Sequence, residues 1–158
     1  VLFYLLRRII LDVTMTEIAL VSCTKSKKDS KSKPKKLYME SQLFRKVRKY
    51  VEREQDEWYI LSARYGLLKS DGRPISPYNS TLKDSSRDEK REWSRMVFQS
   101  LKEENLLYET LVIQAGKEYY EHLIPLLEEA DVSYRIPPEG LSYGERLSWY
   151  KEQNESSE

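Results

Sequence analysis

The sequence predicts an α/β fold: a mostly parallel central sheet flanked by helices, built as a single three-layer domain. Three observations lead there. Four short runs rich in β-branched and aromatic residues (18–23, 58–63, 110–115 and 132–137) are separated by stretches of helical periodicity. Each run is mainly apolar rather than alternating, as expected of strands covered on both faces. Strands that alternate with helices need crossover connections, which favour parallel pairing. At 158 residues the chain suits one core and is short for two.

The elements follow in chain order. Residues 1–14 hold a hydrophobic run broken by Arg7 and Arg8, short of the ~20 continuous apolar residues a bilayer span needs. The charges and small residues of a secretory signal are not in their required places. This segment is expected to be an N-terminal extension ahead of a domain over 15–153, with a peripheral membrane or partner anchor as the alternative. After the first strand, Leu43, Val47, Tyr50 and Val51 fall on one helical stripe, with Arg45, Lys46, Arg48 and Lys49 largely turned away from it. After the second, residues 69–84 read as a long loop punctuated by Asp71-Gly72, Pro74 and Pro77. Ser86 and Glu89 have the spacing of a capping box, opening a helix with Trp93, Met96, Val97 and Leu101 on its inner face. Tyr120, Leu123, Ile124 and Leu127 line a third helix, with His122 on the opposite, solvent side. The last amphipathic piece, from about Gly144 to Gln153, carries Leu147 and Tyr150, and the polar residues 154–158 are expected to fray.

Composition narrows the function classes. Charged residues make up 34% and the apolar set 39%, polar for a globular chain yet not disordered. The single Cys23 excludes an internal disulfide, and with only one histidine a Cys/His zinc cluster is out of reach. A reducing cytoplasm is the expected compartment; no metal and no particular cofactor is indicated. The net charge is only +1, but residues 25–49 hold eleven Lys and Arg against Asp29 and Glu40, which leaves the remainder acidic. Such polarity draws polyanions to one face, or else is a solvated loop and helix surface. On the first reading, contacts to nucleic acid come from Lys28, Lys31, Lys33, Lys35, Lys36, Arg45, Lys46, Arg48 and Lys49.

Parallel sheets bind ligands beyond the carboxyl ends of their strands, where loops converge. Ser22-Cys23-Thr24-Lys25-Ser26-Lys27 leaves the first strand, Ser62-Ala63-Arg64-Tyr65-Gly66 the second, Gln114-Ala115-Gly116-Lys117 the third and Pro137-Pro138-Glu139-Gly140 the fourth. If the topology holds, these loops share one polar, cationic rim rich in tyrosine. Ser22, Thr24, Lys27, Tyr38, Ser41, Ser62, Gly66, Pro77, Tyr78, Gly116, Tyr119 and Gly140 are the candidate ligand-binding residues. Cys23, Lys25 and Tyr65 are the candidates for chemistry. Cys23 reads either as a small buried residue or as a nucleophile needing an adjacent cation or base; Gly116 reads either as a tight turn or as close approach to a phosphate. Tyrosine faces beside cations suit bases and their phosphates, or else serve as core with satisfied hydroxyls. No Walker loop and no Gly-x-Gly-x-x-Gly occurs.

The residues quoted above, with Leu37-Tyr38-x-x-Ser41-x-x-Phe44, Trp58 to Leu68, Ile75-x-Pro77-Tyr78-x-x-Thr81-Leu82, Ala115-Gly116-x-x-Tyr119 and Pro138-x-Gly140-Leu141-x-x-Gly144, together resemble an uncharacterised prokaryotic family over nearly the whole domain. More distantly, Leu61-Ser62-x-x-Tyr65-Gly66-Leu67-Leu68 followed by Pro77-Tyr78 is similar to the YaaA family, which is associated with peroxide stress and DNA binding. Cys23 with Lys36-x-Tyr38-x-x-Ser41 looks like the core motif of the archaeal lysine transferase that modifies deazaguanine in tRNA, although Phe44 stands where that motif ends in histidine. These resemblances imply a nucleic-acid connection.

Three functions are therefore expected of such a chain. The first is a nucleic-acid-associated protein that binds DNA or RNA through the basic loop and helix and a nucleotide at the strand-end pocket. The second is a nucleotide- or nucleobase-modifying enzyme that uses Cys23, Lys25 and Tyr65. The third is an interaction module without a ligand, in which the rim serves stability alone. The sequence discloses no reaction.

Overall fold

A computed structural model describes residues 16–157; the expected extension over 1–14 lies outside the described residues. Five strands form one sheet: β1 (Glu17–Ser22), β2 (Glu57–Ser62), β3 (Gly66–Lys69), β4 (Thr110–Gln114) and β5 (Tyr134–Arg135). Their order is β3-β2-β1-β4-β5. The β1–β2, β1–β4 and β4–β5 pairs are parallel, and only the edge strand β3 runs antiparallel to its neighbour β2. The helices are α1 (Pro34–Leu37), α2 (Gln42–Glu54), α3 (Arg87–Glu103), α4 (Lys117–Tyr120), α5 (Ile124–Glu129) and α6 (Tyr143–Ser156).

Two cores cover the two faces of the sheet, and the period-two pleat divides the strands between them. Ile18, Leu20, Tyr59, Leu61, Leu111 and Ile113 pack with Trp93, Val97 and Leu101 of α3 and with Leu123 and Leu127. Ala19, Val21, Trp58 and Ile60 pack with Leu43, Phe44, Val47 and Val51 of α2 and with Tyr150 of α6. Because both faces are covered, the central strands are almost wholly apolar, as the sequence pattern requires. The three-layer α/β architecture follows. Among the described residues no helix is long and apolar enough to cross a membrane.

Several elements differ from the sequence expectation, each for an identifiable reason. Residues 66–69 are a strand. Ala63, Arg64 and Tyr65 make a three-residue turn after which Gly66, at φ +74°, starts the return strand; a left-handed residue ending such a loop favours glycine. A Cβ there would also stand 2.8 Å from Met96 Cε. The expected long loop therefore begins only after Lys69, and it is further shaped by a bridge between Ser32 and Ile75 and a 3₁₀ turn over Leu82–Asp84. The stripe Tyr120, Leu123, Ile124, Leu127 belongs to two short helices. Pro125, in the first turn of α5, has no N–H to offer, and its ring would clash with the carbonyl of Glu121 in a continuous helix. His122, in the junction, is half-buried rather than facing solvent. The capping boxes are present at Ser86/Glu89 and, unforeseen, at Ser142/Glu145. Helix α6 runs to Ser156, beyond the expected amphipathic piece, because Asn154 is buried: its side chain donates to Lys46 O at 3.1 Å and accepts from Arg53 at 3.1 Å.

The topology places the site. From β1 the chain moves outward to β2 and β3, then crosses back past β1 to β4 and on to β5. Connections leaving the carboxyl ends of β1 and β4 thus diverge to opposite sides, which opens a crevice between them.

Candidate functional site

At that crevice lies a cleft of about 260 Å³, lined by Ser22 to Ser26 after β1, Ser41 and Leu43 at the start of α2, and Gly116, Glu118 and Tyr119 after β4. Thr81 and Lys83 from the 3₁₀ segment and Tyr143 and Arg146 from the first turns of α6 complete it. Parallel register brings these together: Ser22 lies opposite Leu61 and Val21 opposite Gln114, so the exits of β1, β2 and β4 stand at one end of the sheet. The volume is near the lower end of small-molecule sites, ~300–1,000 Å³.

Three cations face this space: exposed Lys25 and Lys83 and half-buried Arg146. Glu118 is the carboxylate among them. Gly116 has φ −74°, an ordinary backbone conformation, so the left-handed region is not why glycine stands there. Space is the constraint: a Cβ would stand 3.0 Å from a Glu118 carboxylate oxygen and 3.6 Å from the Arg146 guanidinium. Glycine thus lets an acid and a base converge beside the β4 exit. Tyr143 stands at the wall with 55% of its surface exposed, and the Arg146 guanidinium lies 6.0 Å from its ring centre. A large aromatic left in water beside a cation is an available stacking face.

Cys23 is on the floor, 6% exposed. Its sulfur is 3.2 Å from the Tyr119 hydroxyl and accepts from Ala63 N–H at 3.3 Å. Burial, with Cys23 as the next contributor, raises the Tyr119 pKa far above the ordinary phenol value, so that hydroxyl keeps its proton. Behind Tyr119, Trp93 packs edge-on at 5.6 Å and donates its indole N–H to Ser62 O at 2.9 Å.

Beside the cleft lies a chain of buried hydroxyls. Tyr38 and Tyr78 share a hydrogen bond of 2.6 Å, Tyr78 and Ser62 one of 2.8 Å, and Ser62 Oγ accepts from Tyr65 N–H at 2.9 Å. Burial raises the pKa of both phenols, so both stay protonated and can serve as donors. Lys27 extends over the Tyr78 ring with its ammonium 4.3 Å from the centroid. Burial lowers the Lys27 pKa from its ordinary value.

The structure thus brings Ser22, Cys23, Thr24, Lys25, Ser41, Gly116 and Tyr119 to one cleft. Tyr38, Ser62 and Tyr78 form its buried polar support instead, with half-buried Lys27 over the Tyr78 ring. Tyr65 is apart from the lining: its ring packs edge-on against Tyr78 at 5.6 Å, and its hydroxyl donates to Ser76 O at 3.4 Å. The tyrosine that meets the Cys23 sulfur is Tyr119. Gly66 shapes the hairpin, and half-buried Pro77 precedes Tyr78 in the support. Gly140, at φ +81° with nothing within 4 Å of a built Cβ, is a turn residue. Thr81, Lys83, Glu118, Tyr143 and Arg146 were not foreseen as lining. Thr81, Lys83, Tyr143 and Arg146 lie outside the segments that leave a strand, and Glu118 falls one residue beyond the segment that leaves β4; Thr81 stood in a quoted family motif.

The basic set divides too. Lys33 and Lys35 both pair with Asp71 at 3.2 Å, which spends part of the loop's charge within the fold. Arg48 pairs with Glu52 at 3.1 Å and donates to Lys35 O. Exposed Lys31 and Lys36 and half-buried Lys28 are outside both clefts. Arg45, Lys46 and Lys49 line a second groove between α2 and α6. Among the described residues no three of His, Cys, Asp and Glu converge as metal ligands would.

The sequence profile of a family described as "Family of unknown function (DUF6884)" matches residues 18–152. No curated protein and no solved structure matches the chain.

Proposed function

We propose, from the premise that the chain belongs to the DUF6884 family, that it is a nucleotide-binding domain whose ligand sits at the β1/β4 crevice. The observation that carries this reading is the meeting of three cations and an exposed aromatic at the topological switch point. Lys25, Lys83 and Arg146 hold a phosphate, with Arg146 able to grip two of its oxygens. The Tyr143 ring takes the base by stacking. Thr24, Ser26 and Ser41 supply hydroxyls toward the sugar and phosphate. The resemblance of the hairpin and tyrosine motifs to the YaaA family and the archaeal lysine transferase belongs to this same reading.

Titration calorimetry at low salt tests it, with a nucleoside monophosphate and inorganic phosphate as probes. The nucleotide is expected to bind more tightly than phosphate. Tyr143→Ala is expected to remove most of that margin, because stacking on an aromatic contributes about 1–3 kcal/mol per base. Absence of heat with every nucleotide at millimolar concentration refutes the assignment.

A second reading, modification of the bound nucleotide, is favoured by the sulfur of Cys23 on the cleft floor. If the thiol meets the ligand, saturating nucleotide slows the alkylation of Cys23 by iodoacetamide at least fivefold, as read by mass spectrometry. An unchanged rate removes the thiol from the ligand's path.

A further inference from the structure

Glu118, in α4, is the one carboxylate lining the β1/β4 cleft, set among Lys25, Lys83 and Arg146. Its carboxylate and the Arg146 guanidinium crowd one point beside the β4 exit. A Cβ at Gly116 would stand 3.0 Å from the first and 3.6 Å from the second. Among the described residues, no hydrogen bond or ion pair ties either of these side chains to another group. Two opposite charges thus stand half-buried at the same wall without pairing with each other, and both are available to a ligand.

A phosphate explains the cations but not the acid. An ionised carboxylate only accepts hydrogen bonds, and beside a phosphate it repels. It suits such a site only where the ligand carries O–H or N–H donors next to its phosphate. In a nucleotide the sugar is bonded directly to the phosphate, and the base is one sugar further away. Arg146, the phosphate clamp, lies 6.0 Å from the centre of the Tyr143 ring that takes the base. The sugar is the part that joins the two, and the carboxylate neighbouring Arg146 is the group placed to meet it. Ribose offers 2′- and 3′-hydroxyls on the same side of its ring, spaced to donate to both oxygens of one carboxylate. Deoxyribose has lost one of them.

We infer that the ligand of the cleft is a ribonucleotide, and that Glu118 selects it by accepting hydrogen bonds from the 2′- and 3′-hydroxyls. The inference rests on the proposed nucleotide site and names its substrate class. The 2′-hydroxyl is the group by which a protein tells ribose from deoxyribose. An acidic side chain on a ribose hydroxyl is also how dinucleotide sites of parallel sheets hold that sugar. Gly116 belongs to the same device, since any side chain there would push the carboxylate from its place.

Titration calorimetry with the four 5′-ribonucleoside monophosphates, their 2′-deoxy forms and their 2′,3′-dideoxy forms tests it. In the wild type the best-bound ribonucleotide is expected to exceed its dideoxy form by roughly tenfold or more, because a hydrogen bond to a charged acceptor contributes about that factor. The 2′-deoxy form should fall between them. E118A is expected to close the margin from both sides. Its ribonucleotide affinity drops about fivefold or more, a conservative fraction of the same factor, while the dideoxy form binds as well as before or more tightly, since no carboxylate opposes the phosphate. E118Q, which keeps one accepting oxygen, should lie between E118A and the wild type. Melting curves check the fold, which should hold because Glu118 has no protein partner to lose. Equal wild-type affinity for ribose and dideoxy forms overturns the inference and leaves the nucleotide site standing. So does an equal loss of both forms in E118A, the mark of a residue that only positions Arg146. A change of preference among the four bases with the sugar margin intact overturns it as well. Failure of every nucleotide to bind the wild type overturns the proposed site and this extension with it.

Discussion

Trp93→Ala is expected to cost about 3–5 kcal/mol of stability, the usual range for truncating a buried aromatic side chain. Trp93 is 6% exposed in the core between α3 and the sheet. Its ring packs edge-on with Tyr119, and its indole N–H donates to the carbonyl of Ser62. Truncation opens a cavity and strips a buried carbonyl of this donor. For a domain near this size each kcal/mol lowers the melting temperature by about 2–4 °C, so the midpoint should fall by roughly 10 °C. Trp93→Phe keeps most of the volume and loses the indole donor, at about 1–3 kcal/mol. Urea denaturation monitored by circular dichroism separates the two variants. An alanine variant within 1 kcal/mol of wild type would show that the ring does not hold the β2 exit to α3. The cleft should register the change as well, because Tyr119 positions the Cys23 sulfur and is itself backed by this ring.

The largest effect on binding is expected from R146E, a loss of about a hundredfold or more in nucleotide affinity. Hydrogen bonds to a charged group contribute about 1.5–3 kcal/mol, and reversal adds repulsion from a second carboxylate beside Glu118 at the mouth of the site. Stability should barely move, since Arg146 is a half-buried residue of the first turns of α6 and no part of either core. Arg146→Lys keeps the charge and loses the planar fork, so an intermediate loss of about tenfold is expected. Calorimetry checks both variants beside their melting curves. Nucleotide affinity within threefold of wild type in R146E would show that the phosphate is bound elsewhere.

How far the sequence went is clearest from particular residues. The apolar runs at β1, β2 and β4 were legible because strands buried on both faces need nearly every position apolar. The stripe of α2 and the Ser86 capping box were legible for the same kind of reason, since periodicity and capping act within a few residues. Strand β3 escaped because four residues carry no period, and Gly66 alone does not distinguish a cap from a hairpin. The broken helix at 121–123 was marked by Pro125, whose effect on Glu121 outweighs a continuous apolar stripe.

In the site, the thiol, the strand-end hydroxyls, Gly116 and Tyr119 could be chosen because each stands at or just after an apolar run, and parallel pairing brings such exits to one end of a sheet. Lys83, Tyr143 and Arg146 arrive from segments distant in sequence, and nothing local records that they face the same space.

The sequence by itself determined the class of fold, the strands of its centre and the end of the sheet where chemistry gathers, because burial on both faces and short-range capping are written residue by residue. Only the tertiary structure decided that the crevice opens between β1 and β4, that Tyr119 rather than Tyr65 meets the cysteine, and that Lys83, Tyr143 and Arg146 face the same space. Those outcomes depend on strand order and helix docking, which bring together residues more than a hundred positions apart, such as Ser22 and Arg146, and no local pattern encodes such a meeting.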